Sequence, residues 1–199
     1  MSKIIYTIGY SGFKIEAFTA ALGEYGVSVL IDVRSVPTSR FFPHYNVKTL
    51  AAALLTHGIK YLNLKTEFGA RQENPDYYTA EFMDYEKFAE GPQFKSGVKR
   101  VVQFYASGET VCLMCAEKDP LNCHRAILCG RELKAVGFEV LHIVPNKEGT
   151  LTESHDVLER RLMALYFKDG RQYGLFENDG DKLLECYKRH NAKIGYKPN

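Results

Sequence analysis

At 199 residues, with 45% hydrophobic and 25% charged side chains, the chain has the composition of one globular domain with a real core and length to spare for a C-terminal elaboration. A formal charge of +2 supplies no bulk attraction for nucleic acid or an anionic membrane, and no run reaches the roughly 18 apolar residues of a membrane span. Five cysteines, an odd number in apolar context, argue against the disulfide framework of a small secreted domain, and MSKIIYTIGY lacks a signal-peptide pattern, so the expectation is a cytoplasmic protein with reduced thiols.

The first strand is expected at residues 3–8 (KIIYTI), ended by the glycines of GYSG, with a helix over 13–25 closed by Gly26. Residues 27–33 (VSVLIDV) form a near-continuous apolar run, as in a parallel strand covered on both faces. Asp32 lies near its carboxyl end. A loop over 34–45 follows, with two prolines, Arg34, Arg40 and an aromatic cluster; loops of that length usually carry function. A helix over 46–57 leads to a strand at 59–64, then to a polar turn containing Arg71 in EFGAR. Helices are expected over 77–90 and 94–107. Residues 110–115 are too short for a helix and read as a buried strand; a polar turn through Glu117 and Asp119 then delivers Cys123, His124 and Arg125 to the start of a helix ending at Gly137. Residues 138–144 make a fifth strand.

Five strands separated by helical stretches predict an α/β fold of three layers, a mostly parallel five-stranded sheet with helices on both faces. The α/β domain is expected over 1–150. Residues 151–199 are expected as a C-terminal helical extension on the same domain, with helices over 153–167 and 180–190, turns at 168–170 and 178–181, and a loosely held tail from Ala192.

In such a sheet, ligands bind at the carboxyl ends of the strands. Cys115 stands at one such end. Cys112, three residues earlier, points to the opposite face because strand side chains alternate, so C-x-x-C here is not a metal knuckle. Cys123 at a helix start is placed to favour thiolate. Arg125 opposes the helix dipole, which fits either an anion clamp or a loop braced on Glu117 or Asp119. A metal held by Cys115, Cys123 and His124 with Asp32 or Glu117 matches no familiar ligand spacing, and no cofactor is expected. Gly9 and Gly12 lack the pattern of a nucleotide loop. Asp32, Arg34, Arg40, Arg71, Tyr10, Ser11 and the 115–125 loop are expected to converge on one crevice. Several arginines around a few carboxylates suit an anionic ligand, with a surface ion-pair cluster as the plain alternative.

The segments TIGYSG, IDVRSVPTSRF, IKYLNL followed by EFGAR, VCLMCAEKDPLNCHR and VLHIVPNKEGTLTESH together resemble the domain-of-unknown-function family 488, DUF488, over about Ile4 to His155. The resemblance implies an α/β fold with these motifs grouped, and brings no reaction with it. Tyr10 stands where histidine is frequent, and EFGAR replaces LGGR. A cysteine at a strand end with an arginine at the next helix start is also similar to rhodaneses and cysteine phosphatases, although the interval from Cys115 to Arg125 is longer than their cradle. The expectation is an enzyme of hydrolase or lyase type acting on a phosphate-bearing or other anionic substrate, a small molecule or nucleic acid. Arg34, Arg40, Arg71 and Arg125, with Tyr10 and Ser11, would bind it; Cys115 or Cys123 would be the nucleophile; Asp32, Glu117 or His124 would move protons. The alternative is a non-catalytic module using the same arginines.

Overall fold

A computed structural model describes residues 3–167 and 178–198. Its centre is one six-stranded sheet, formed by β1 (Ile4–Gly9), β2 (Val29–Asp32), β3 (Lys60–Asn63), β4 (Val111–Cys115), β5 (Glu139–Pro145) and β6 (Thr150–Ser154) in the order β3-β2-β4-β1-β5-β6. The first five are parallel; β6 runs antiparallel to β5. Every residue of β2 and β4 is buried, as expected for apolar runs covered on both faces.

Two cores flank the sheet. On one face α1 (Ile15–Glu24) and α2 (Val47–Leu55) set Phe18, Leu22, Leu50 and Leu54 against Ile8, Leu30, Cys112 and Met114. Between β3 and β4 the chain forms α3 (Lys65–Phe68), α4 (Tyr85–Glu90) and α5 (Pro92–Ala106), and after β4 it forms α6 (Arg131–Ala135). The opposite face of the sheet receives Phe94 and Val101 of α5 and Leu133 of α6, packed with Ile31, Leu113 and Cys115. Leu158 and Leu162 of α7 (His155–Tyr166), with Cys186 and Tyr187 of α8 (Asp179–Ile194), extend that same core. Cys112 and Cys115 therefore lie on opposite sides of the sheet, as period-two alternation requires.

The fold is the expected three-layer, mostly parallel α/β arrangement, with one strand more than the sequence suggested. Residues 150–154 (TLTES) offer no apolar run because β6 is an edge strand. It is paired only with β5, and Leu151 and Thr152 are exposed. The helix expected over 77–90 is shorter. A 3₁₀ turn at Pro75–Tyr77 and a bridge between Tyr78 and Met83 precede α4, which starts where the Asp84 carboxylate accepts from the N–H groups of Glu86 and Lys87. The expected helix from Cys123 divides into a π-helical turn at Arg125–Gly130 and α6. The turn expected at 168–170 lies outside the described residues. The tail is tied down rather than loose: the Met83 N–H donates to the Tyr196 carbonyl at 2.8 Å. Asn191 also bonds the main chain of Met83 and Tyr85. Among the described residues no helix is long and apolar enough to cross a membrane.

The candidate site at the carboxyl edge of the sheet

β4 sits between β2 and β1, with Gly9 in register with Cys115 and Asp32 with Met114. Three strand ends are thereby neighbours although their residues are far apart in sequence. A cleft of about 280 Å³ opens over them. Larger hollows exist, of about 330 Å³ between α4 and α8 and about 440 Å³ beside β5, but of these three, among the described residues, the cleft at the strand ends is the one that brings thiols, imidazole and carboxylate together.

Of the residues singled out from the sequence, Tyr10, Arg34, Arg71, Cys115, Glu117, Cys123 and His124 line this cleft. The other four do not. Asp32 is wholly buried behind the wall and holds Arg34, whose Nε and Nη2 donate to its two oxygens at 2.9 and 2.6 Å. Ser11 is exposed outside the lining and attaches its loop to β4 by an N–H bond to the Ala116 carbonyl. Arg40 is exposed on the 34–45 loop, away from the cleft walls. Arg125 is fully buried, and its guanidinium donates to the main-chain carbonyls of Glu117 and Lys118 at 2.5 and 3.2 Å. Its donors therefore brace the loop, through carbonyl oxygens and not through the side chains of Glu117 or Asp119; Asp119 instead caps the short 3₁₀ turn at Pro120–Asn122 and pairs with Arg161.

The arginines of the wall are held in defined positions. Arg34 is 5% exposed, also donates to the Tyr45 carbonyl, and lies 5.1 Å from the centroid of the Tyr10 ring. Its Nη1 is buried without a hydrogen-bond partner. Burial works against its charge, but Asp32 more than offsets this and raises its pKa. Arg71 comes from the turn after α3; its N–H bonds the Ser35 hydroxyl and its guanidinium stacks 4.6 Å above Tyr196.

The reactive end of the cleft is a compact cluster. The Cys123 thiol donates to Glu117 Oε2 at 2.9 Å, and His124 Nδ1 lies 3.8 Å from Cys115 Sγ and 4.0 Å from Cys123 Sγ. His124 Nε2 donates to the Val33 carbonyl at 3.0 Å, just past the end of β2. The Arg125 N–H reaches Cys123 Sγ at 3.4 Å. Burial opposes ionisation of Cys123, yet hydrogen bonding to Cys115 and the charges of Arg125 and His124 outweigh it and bring its pKa well below the usual thiol range. Cys115 moves the other way, raised by its bond to Cys123 and by burial. His124 is raised: burial lowers it, and Cys123 and Glu117 reverse the sign. Glu117 is raised by burial of its carboxyl end and by Cys123, although the residue as a whole is exposed at the cleft mouth. Of the two thiols, Cys123 is therefore the one whose surroundings favour ionisation.

Several participants escaped the sequence reading. Tyr85 and Tyr196 line the cleft from α4 and the C-terminal tail, and Val33 contributes only its carbonyl. Tyr85 is buried and its phenol is raised by burial and by Cys123. A backbone acceptor has no residue-type signal at all. The tyrosines are indistinguishable by pattern from core aromatics.

Comparison with curated proteins and with solved structures gave no match. A family match does exist, and it runs from the start of α1 through the end of β2, the Arg71 turn and the whole Cys115–Arg125 loop. It is to the family described as domain of unknown function DUF488, over residues 14–131, more than half of the chain, and this chain belongs to that family.

Proposed function

We propose that the protein is an enzyme that takes a phosphate-bearing or other anionic substrate into this cleft. The observation that carries the reading is that Arg34, with a buried and unpartnered Nη1, and Arg71 open onto the same cavity as the Cys115, Glu117, Cys123 and His124 cluster. The arginines hold the anion through charge-assisted hydrogen bonds. Glu117, at the mouth and in contact with Cys123, transfers protons to or from the reacting group. Hydrolase or lyase-type chemistry suits this combination. Exposed Phe42, its ring 5.5 Å from that of Tyr10 in the cleft wall, favours substrates that carry a base.

Titration of the purified chain with inorganic phosphate, sulfate and a short oligonucleotide tests this. One of these is expected to bind, with affinity falling about tenfold or more in Arg71→Gln. Absence of binding by all three, or affinity unchanged in both Arg34→Gln and Arg71→Gln, overturns it.

A second reading, a non-catalytic module for an acidic partner or nucleic acid, is favoured by one observation: Cys115 and Cys123 are only 3% and 1% exposed, as packing residues would be. Under that reading serine at either position leaves anion binding unchanged.

A further inference from the structure

We infer that Cys115, Cys123 and His124 form a zinc site whose fourth position opens into the cleft beside Glu117. The three donor atoms all lie within 4.8 Å of one another, with Cys115 Sγ and Cys123 Sγ at 3.8 and 4.0 Å from His124 Nδ1. With zinc–sulfur bonds of about 2.3 Å and a zinc–nitrogen bond of about 2.0 Å, a tetrahedral centre separates sulfur from nitrogen by about 3.5 Å and two sulfurs by about 3.8 Å. The two sulfur–nitrogen distances need to contract by only a few tenths of an ångström, and the two sulfurs, within 4.8 Å of each other, by at most about 1 Å.

The imidazole is already arranged as a ligand. Its Nε2–H is committed to the Val33 carbonyl, which fixes the tautomer and leaves the Nδ1 lone pair directed at the two sulfurs. Both sulfur contacts of Nδ1 are too long to satisfy it well as hydrogen bonds. A zinc ion supplies the missing short contact. The main-chain N–H of Arg125 donates to Cys123 Sγ, the kind of bond that steadies a metal-bound thiolate.

The ligands also come from fixed places. Cys115 ends a fully buried strand, and Cys123 and His124 precede the π-helical turn. Arg125 fastens the loop between them by bonding the carbonyls of Glu117 and Lys118. Charge balances. Two thiolates neutralise the ion, and the S–H protons leave to solvent. Soft sulfur ligands with one imidazole select zinc over magnesium or calcium, and three protein ligands with an accessible fourth position is the pattern of catalytic rather than structural zinc.

This rests on the proposed reaction site only for the use made of the fourth position; metal binding itself stands apart from it. The full-length chain, stripped with a chelator, is titrated with cobalt(II) and then with zinc. One equivalent of cobalt is expected to give a thiolate-to-cobalt charge-transfer band and strong tetrahedral ligand-field bands, both removed by one equivalent of zinc. Cys115→Ser, Cys123→Ser and His124→Gln should each weaken zinc on the order of a hundredfold, while Cys112→Ser binds as the parent does. Zinc should also protect Cys115 and Cys123 from iodoacetamide. No thiolate–cobalt band in the parent chain, or equal binding by Cys123→Ser and Cys112→Ser, overturns the site. Phosphate binding without a cobalt spectrum sinks the zinc inference alone. A cobalt spectrum in a chain that binds no anion upholds the zinc site and sinks the substrate reading.

Discussion

The main-chain carbonyl of Glu117 passes directly over Gly9: a Cβ built at position 9 would lie 1.8 Å from that oxygen and 3.0 Å from Nη1 of Arg125. Backbone cannot yield as a flexible side chain would, so the end of β1 must be glycine for the 115–125 loop to close. Gly9→Ala should displace the loop and destabilise the fold by about 1–3 kcal/mol. The measurement is the urea midpoint together with anion titration; loss of anion affinity is expected even where the variant remains folded.

Arg125 connects the same loop to the sheet from inside. Removing its guanidinium strands the Glu117 and Lys118 carbonyls, so Arg125→Met should cost on the order of 3 kcal/mol. Arg125→Lys should recover only a minority of this, since an ammonium reaches one carbonyl at a time. Chemical denaturation of the three proteins checks the order.

Stability should depend on pH through a chain of hydrogen bonds remote from the cleft. Thr7 donates to His142 Nδ1, His142 Nε2 to His155 Nδ1, His155 Nε2 to the Tyr187 hydroxyl, and Tyr187 to Glu159. Every donor and acceptor is matched only when both imidazoles are neutral. Burial lowers His155 from 6.5 to about 4, with Lys134 assisting and Glu159 and Asp156 opposing, and it lowers His142 as well. The unfolded chain therefore binds more protons in this window. The contribution is complete above pH 6.5 and is lost as pH falls toward about 4, by on the order of 3 kcal/mol for His155. Urea midpoints between pH 7 and 4.5 should fall with acid, and His155→Gln should flatten the slope.

Tyr196 holds Arg71 by ring stacking from the opposite end of the chain. Tyr196→Leu should free the guanidinium and weaken anion binding by about 1 kcal/mol, near fivefold, with little change in stability. Calorimetric titration with phosphate reads this directly.

Cys112 provides the contrast. It is buried on the α1–α2 side of the sheet, where burial raises its thiol pKa, and it does not line the cleft that Cys115 lines. Cys112→Ala should cost about 1 kcal/mol and leave the cleft's binding properties intact; iodoacetamide labelling of the remaining thiols should be unchanged.

The alternation of strands and helices, the carboxyl-edge position of Cys115 and the separation of Cys112 from it follow from local periodicity, because each depends only on residues within one element. β6 escaped notice since a solvated edge strand needs no apolar run. The division of the arginines into those that face the cleft and those that build it was not legible, because an arginine reads alike whether its donors meet a ligand, a carboxylate or a carbonyl. Arg34 and Arg125 are both buried, yet one lines the cavity and the other braces its loop.

By itself, the order of residues determined the layers, the parallel connections and the one rim where chemistry can gather. Tertiary structure alone decided that the Val33 carbonyl orients His124, that Glu117 meets Cys123, and that Tyr196 returns to Arg71. Those pairings span intervals from 6 to 125 residues. The distant ones depend on strand order and helix packing, which bring chain ends together by burying apolar surface and not by any local pattern.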